Sequence, residues 1–139
     1  MDSASSTEPG RVTPREVAAR LYAAASRGDT ATVGRLLHPE ARLDVPGTSP
    51  VSGVYHGLSG FLRFTSATNA IVPGGAQTEI IDIMDGRRHA AVYGVSRATR
   101  TGRPPLTNPT VHLVTVDDAR VTAITIFNAD QRAVDDFWS

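Results

Sequence analysis

Between Thr110 and Trp138 the chain alternates apolar and polar residues twice before a helical pattern takes over. A period of two groups Thr110, His112, Val114 and Val116 on one strand face, and Thr122, Ile124, Ile126 and Asn128 on one face of the next. Val116 and Val121 frame a DDAR turn between the two strands. Two strands that run into a helix bury one face, which carries His112 and Asn128 into an interior. An imidazole beside an amide in an apolar wall describes a small-molecule site better than a plain core.

The pattern upstream is helical first. Thr13-Pro14-Arg15-Glu16 reads as a capping box, with threonine at the N-cap, proline at the first helical position and glutamate three residues past the cap. Val17, Leu21, Ala24 and Ala25 form the apolar stripe, which ends at Gly28. Asp29 caps a second short helix carrying Val33, Leu36 and Leu37, and His38-Pro39 stops it. Ala41 to Val45 is a short strand closed by Pro46-Gly47, and SPVSG is a loop. After His56-Gly57 a third helix bears Leu58, Phe61, Leu62 and Phe64, closing at Pro73-Gly74-Gly75. From there the pattern is strand: Gln77 to Met84, His89 to Thr99, Leu106 to Val116 and Val121 to Asn128. Asp130 caps a last helix, which Trp138 docks. Helices first and a run of antiparallel strands after predict an α+β fold in one domain over residues 12–139.

Composition narrows the chemistry. The chain has 139 residues, 40% of them hydrophobic, with a formal net charge of zero. That balance gives no footing for nucleic acid or an anionic membrane surface as a partner. No cysteine is present, which excludes disulfides and thiol nucleophiles. All 14 basic residues are arginine, so Schiff-base chemistry on lysine is excluded as well. Residues 1–11, MDSASSTEPGR, are small and polar and are expected to be a disordered tail without a signal sequence. With no apolar run long enough to span a bilayer, the protein is expected in the cytoplasm. No histidine pair has metal-ligand spacing and no glycine-rich loop follows a strand, so neither a metal nor a cofactor is expected.

The segments EVAARLYAAASRGD, LLHPEARLDVPG, SPVSGVYHGLSGFLRF and VHLVTVDDARVTAITIFNADQRAVDDFW, in that order, resemble the NTF2-like superfamily. The similarity is to its SnoaL-like polyketide cyclase and ketosteroid-isomerase-like branch. It implies a cone in which a strongly curved antiparallel sheet wraps the N-terminal helices around a ligand cavity. On that cone the inward positions would be Arg42, Asp44, Tyr93, Val95, His112, Ile124, Ile126 and Asn128, joined by Tyr22, Phe61 and Phe64 from the helices. Epoxide hydrolases of this fold carry an Asp-Arg-Asp set whose positions fall here on Tyr93, Val95 and Ile126, so that mechanism is not expected. Cyclases of the fold pair a histidine on the penultimate strand with an aspartate on the last. His112 matches the first, and Ile126 stands in place of the second.

The resemblance thus implies a cofactor-independent isomerase or cyclase acting on a hydrophobic, carbonyl-bearing molecule, with a ligand-binding protein lacking chemistry as the alternative. His112 is the leading acid-base group because its ordinary pKa lies near neutrality. Asp44 is the second choice, either as base or as orienting partner, although with Arg42 it equally forms a simple ion pair. Tyr93 and Asn128 would donate to a developing enolate oxygen, and Arg42, Tyr22, Phe61, Phe64, Val95, Ile124 and Ile126 would line the pocket. On the opposite face Val111, Leu113, Thr115, Ala123, Thr125 and Phe127 are too apolar for free solvation, which predicts a homodimer.

Overall fold

A computed structural model describes residues 12–139, and the tail expected at 1–11 lies outside the described residues. The first helix, α1 (Pro14–Ser26), begins where its capping chemistry places it. Thr13 Oγ1 accepts from the Glu16 amide at 3.2 Å and Glu16 Oε1 accepts from the Thr13 amide at 3.1 Å. Asp29 caps α2 (Thr30–Leu36) by accepting from the Thr32 amide. The chain continues through β1 (Leu37–Val45), β2 (Gly53–His56), α3 (Gly57–Ile71), β3 (Gln77–Asp85), β4 (His89–Ala98), β5 (Leu106–Asp117), β6 (Arg120–Asn128) and α4 (Gln131–Trp138). Asp130 caps α4 through the Ala133 amide.

The six strands form one curved, unclosed sheet in the order β2-β1-β6-β5-β4-β3. The fold class is the α+β cone expected, but the sheet is mixed. β1 runs parallel to β6, while every other neighbouring pair is antiparallel. Two further departures from the sequence pattern lie around β1. Leu37 opens the strand instead of closing α2, and Pro39 is accommodated because residues between Leu37 and Arg42 fall in a register shift against β6. The segment at Gly53–His56, expected as a loop running into a helix, pairs with β1 as a short edge strand. Its side chains are mostly exposed, so no apolar alternation marks it.

Bulges bend the sheet. On β6, Val121 pairs with Val116 and Ala123 with Thr115, leaving Thr122 as the extra residue. Val121, not Thr122, therefore takes the inward place at that end of the strand. Asp118 and Ala119 form the tight turn between β5 and β6, both at positive φ. On β3, Ile80 pairs with Gly94 and Asp82 with Tyr93, so Ile81 is extra.

Two apolar clusters hold the cone. The larger joins Val17, Ala18, Leu21 and Ala24 of α1 to Ala90, Val92, Val114, Val121 and Ile124 of the sheet. The smaller seats Phe137 and Trp138 of α4 against Val51, Val72, Ala98 and Leu106. The inner face of the sheet spans both clusters, and what lies between them decides the site.

Gly94 sits where the bulge brings two strands into close approach: a Cβ there would meet the Glu79 carbonyl oxygen at 2.6 Å. Replacing Gly94 by Ala is expected to lower unfolding stability by about 1–3 kcal/mol through overpacking against backbone. The midpoint of urea denaturation checks it, and an unchanged midpoint would show that the bend at β3 does not depend on the missing side chain.

Candidate active site

Along β5 the inward residues are Leu106, Asn108, Thr110, His112, Val114 and Val116. Leu106 belongs to the smaller cluster, and Val114 and Val116 belong to the larger one. The three polar residues between them face a cavity of about 840 Å³. Across the strands the same row continues through the pairs Val92–His112 and His112–Ile126. Tyr22 of α1, Phe61 and Phe64 of α3, Ile83 of β3 and Trp138 of α4 also line the space. Among the described residues, none of the lining side chains is an aspartate, glutamate or arginine.

Tyr22 and His112 meet in this wall. The Tyr22 hydroxyl lies 2.6 Å from His112 Nδ1, with the rings 5.7 Å apart and tilted by 45°. Burial pushes the His112 imidazole down to about 4 and pushes the Tyr22 phenol well above its ordinary value. Both shifts oppose charge, so the pair is neutral at pH 7. Either partner can donate in the shared bond, depending on which nitrogen carries the imidazole proton. With Nε2 protonated, the cavity meets a ring N–H; with Nδ1 protonated, it meets a basic nitrogen and a phenolic O–H.

Four residues expected to point inward do not. Arg42 and Asp44 lie opposite Ala123 and Thr125 of β6, on the outer face, whereas Leu43 shares the inner row with Ile124. They form an ion pair of 3.2 Å with side chains 55% and 38% exposed. Tyr93 lies opposite Val111 and is 36% exposed, and Val95 lies opposite Pro109. In each strand the expectation was out of phase by one residue, which moves every side chain to the other face. Ile124 does face inward, but it is buried in the larger cluster beside Val114 and does not reach the cavity. Tyr22, Phe61, Phe64, His112, Ile126 and Asn128 all line the cavity.

Asn108 and Trp138 are among the lining residues that escaped the sequence reading. Asn108 has the same strand parity as His112 and was recognisable by that signal alone. Trp138 has no such mark, since a buried aromatic near a helix end reads as a docking residue whether or not a cavity lies beneath it. Asn108 Nδ2 donates to Asn128 Oδ1 at 2.8 Å, and Asn128 Nδ2 donates to Gln131 Oε1 at 2.9 Å. Gln131 Nε2 in turn donates to Asp135 Oδ1 at 3.0 Å and to the Pro46 carbonyl at 3.3 Å.

A cone of helices in a bent mixed sheet, with a cavity lined from α1, α3, α4 and the inner strands, agrees with the sequence comparisons. The SnoaL-like domain family matches residues 18–124. The chain belongs to this family. Rv0034, an uncharacterized protein of Mycobacterium tuberculosis (strain ATCC 25618 / H37Rv), is 32% identical over 123 residues, covering 86% of this chain and 92% of its own. An NTF2-like protein from Burkholderia xenovorans LB400 superposes with a TM-score of 0.76 at 18% identity, over 94% of this chain and all of that one. TerC, crystallised with polyporic acid, superposes with a TM-score of 0.77 at 20% identity, over 90% of this chain and 98% of its own. These structures establish an NTF2-like fold.

Within the SnoaL-like cavity the His112 shift has a thermodynamic signature. The unfolded chain binds a proton at this residue near pH 6.5, the folded chain only near 4. Between those values the unfolded state holds more protons, so stability is complete above about 6.5 and falls as the pH drops toward 4. Partial access of the ring to the cavity reduces the effect to roughly 1–3 kcal/mol. Denaturation midpoints at pH 7 and pH 4 should therefore differ more for the native protein than for His112→Gln. Equal differences would mean that the imidazole is not held neutral.

Proposed function

We propose that this protein is a cofactor-independent isomerase or cyclase, acting by general acid-base chemistry on an uncharged, hydrophobic, carbonyl-bearing molecule. The observation that carries the reading is the Tyr22–His112 hydrogen bond in a cavity wall that has no charged side chain among the described residues. An ionic ligand would lose its hydration there with no opposite charge to meet it, so a neutral one is favoured.

The pair supplies acid and base together. In the tautomer with Nδ1 protonated, Nε2 removes a proton from the carbon next to the carbonyl. The Tyr22 hydroxyl protonates the forming enolate oxygen, and the Nδ1 proton passes to the phenolic oxygen. Both side chains begin and end neutral, which suits groups whose charged forms burial disfavours. Return of the proton to a different carbon completes an isomerisation, and attack of the enol carbon on a second carbonyl completes a cyclisation. Asn128 and Ile126 continue the wall beside the pair, while Asp44 and Tyr93, on the outer face, take no part.

One observation favours the alternative of a binding protein without chemistry. The cavity has no carboxylate among the described residues, and a histidine held down to about 4 is a weak base. Exchange of the α-protons of 2-tetralone in D₂O, followed by proton NMR, separates the two readings. A catalyst accelerates the exchange, and His112→Gln or Tyr22→Phe lowers the rate by roughly 10²–10⁴-fold, while Asp44→Asn leaves it unchanged. A bound 2-tetralone that exchanges no faster than in buffer would establish binding without chemistry for this ketone.

The same proposal includes a homodimer formed through the outer face of β4, β5 and β6. Its support is an apolar surface that includes Phe127, 54% exposed, near Val111 and Tyr93. Light scattering at micromolar concentration is expected to give twice the chain mass, and Phe127→Glu to give a monomer. A native monomer would remove this part of the proposal.

A further inference from the structure

The cone is open on the side where its sheet does not close. β3 forms one edge of the sheet, while α3 packs on β1 and β2 at the other, yet residues of both β3 and α3 line the one cavity. On β3 the direction of each side chain follows from register: Ile83 pairs with Val92 in the row of His112, and Ile80 pairs with Gly94 in the row of Thr110. The extra residue Ile81 lets Ile80 and Ile83 both face inward although they are three positions apart. α1 is tied to β3 at the Ile83 end, where Arg15 donates from Nε to the Ile83 carbonyl at 3.1 Å and from its amide to Asp85 Oδ1 at 3.0 Å. Ile80 lies beyond that tie, inward and still 39% exposed.

α3 supplies the facing edge of the opening. Phe61, Phe64, Thr65 and Thr68 share one helical face and line the cavity, and Leu62, beside that face, lines it too while 41% exposed. Of the large apolar side chains exposed among the described residues, only Leu62 and Ile80 belong to the cavity. The hydroxyls next to them are engaged within the protein: Thr65 donates to the Leu62 carbonyl at 2.9 Å, and Thr78 and Ser96 bond to each other at 2.8 Å. Wet apolar surface at a cavity mouth, flanked by hydroxyls already bonded, gains most from an apolar ligand.

We infer that Leu62 and Ile80 form a distal subsite, which binds the apolar end of a molecule whose carbonyl lies at Tyr22–His112 and selects that molecule by length. Ile80 stands two strands and one row from His112, about 12 Å along the inner face of the sheet. The ligand is thus an elongated carbonyl compound that reaches this far on one side of its carbonyl and has no polar group at its far end. A shorter compound leaves both side chains in water. This assignment rests on the reading of the cavity as the site of a neutral carbonyl compound, but not on catalysis there.

The test compares 2-heptanone with 2-undecanone in isothermal titration calorimetry. At about 1.2 Å per bond of an extended chain, the tail of 2-undecanone reaches ~11 Å past its carbonyl carbon, and that of 2-heptanone about half as far. Each methylene removed from water is worth roughly fourfold in affinity, so a mouth that covers one side of the tail should make the native protein favour 2-undecanone by roughly tenfold or more. Leu62→Gln combined with Ile80→Thr, both at exposed positions, should cut that ratio by roughly fivefold or more and leave 2-heptanone binding as it was. A folded double variant with the native ratio overturns the inference and leaves the cavity reading intact, as does a native protein that binds the two ketones equally. If neither ketone binds the native protein, the cavity reading falls and the inference with it. Should the double variant fail to fold, a crystal structure of the native protein with 2-undecanone decides the question. Tail carbons within about 4.5 Å of Leu62 and Ile80 support the assignment, and a tail turned toward Trp138 overturns it.

Discussion

The phase of the inner row of β5 is the constraint on which the rest depends. Val114 and Val116 must enter the larger core, because α1 presses Val17, Leu21 and Ala24 against that end of the sheet. A strand has only two faces, so fixing those valines also turns Asn108, Thr110 and His112 inward. The polar residues are buried as a consequence of apolar ones further along the same strand. Their environment follows: His112 meets Tyr22 of α1, and Asn108 meets Asn128 of β6. The two cores stand apart along the cone, and the space they leave is the cavity.

What the sequence disclosed depended on how unequal the two faces of a strand were. β5 and β6 alternate clearly, and their inward residues were read correctly except at Thr122, where a bulge breaks the alternation. β4 was misread because the phase was taken from the resemblance, and HAAVYGVSRA, with apolar residues on both faces, offers no alternation of its own to correct it. β1 was misread for a related reason: Arg42 and Asp44 were taken as cavity residues although their phase is set by parallel pairing with a strand at the far end of the chain. Nothing local in ARLDV determines that register. The helix boundaries followed capping chemistry and were legible. The edge strand at Gly53–His56 was not, because its exposed side chains carry no burial signal.

The candidate site shows the same division. Single-strand periodicity located His112 and Asn128, helical spacing marked Phe61 and Phe64 as apolar positions of α3, and only the family resemblance added Tyr22. Periodicity could not reveal that Tyr22 touches His112, since that contact joins a helix to a strand ninety positions later. The direction of the amide series from Asp135 to Asn108 was also beyond it. Such a series depends on β5, β6, α4 and the turn at Pro46 meeting, which only the assembled structure shows. The chemistry is thus distributed: the carboxylate that sets the orientation of the Asn108 amide lies outside the cavity, with neutral groups between them.

Parallel pairing of β1 with β6 also governs when the molecule can be completed. During synthesis β1 and its hairpin partner β2 emerge early, but Leu43 has no inner neighbour until Ile124 leaves the ribosome. Every intermediate chain length lacks the strand that joins the two edges of the cone. Closing so long a loop makes the step entropically late and strongly cooperative. The cavity consequently comes into being with the last strand, and a nascent chain truncated before β6 would hold neither the His112–Ile126 wall nor a cone to enclose it.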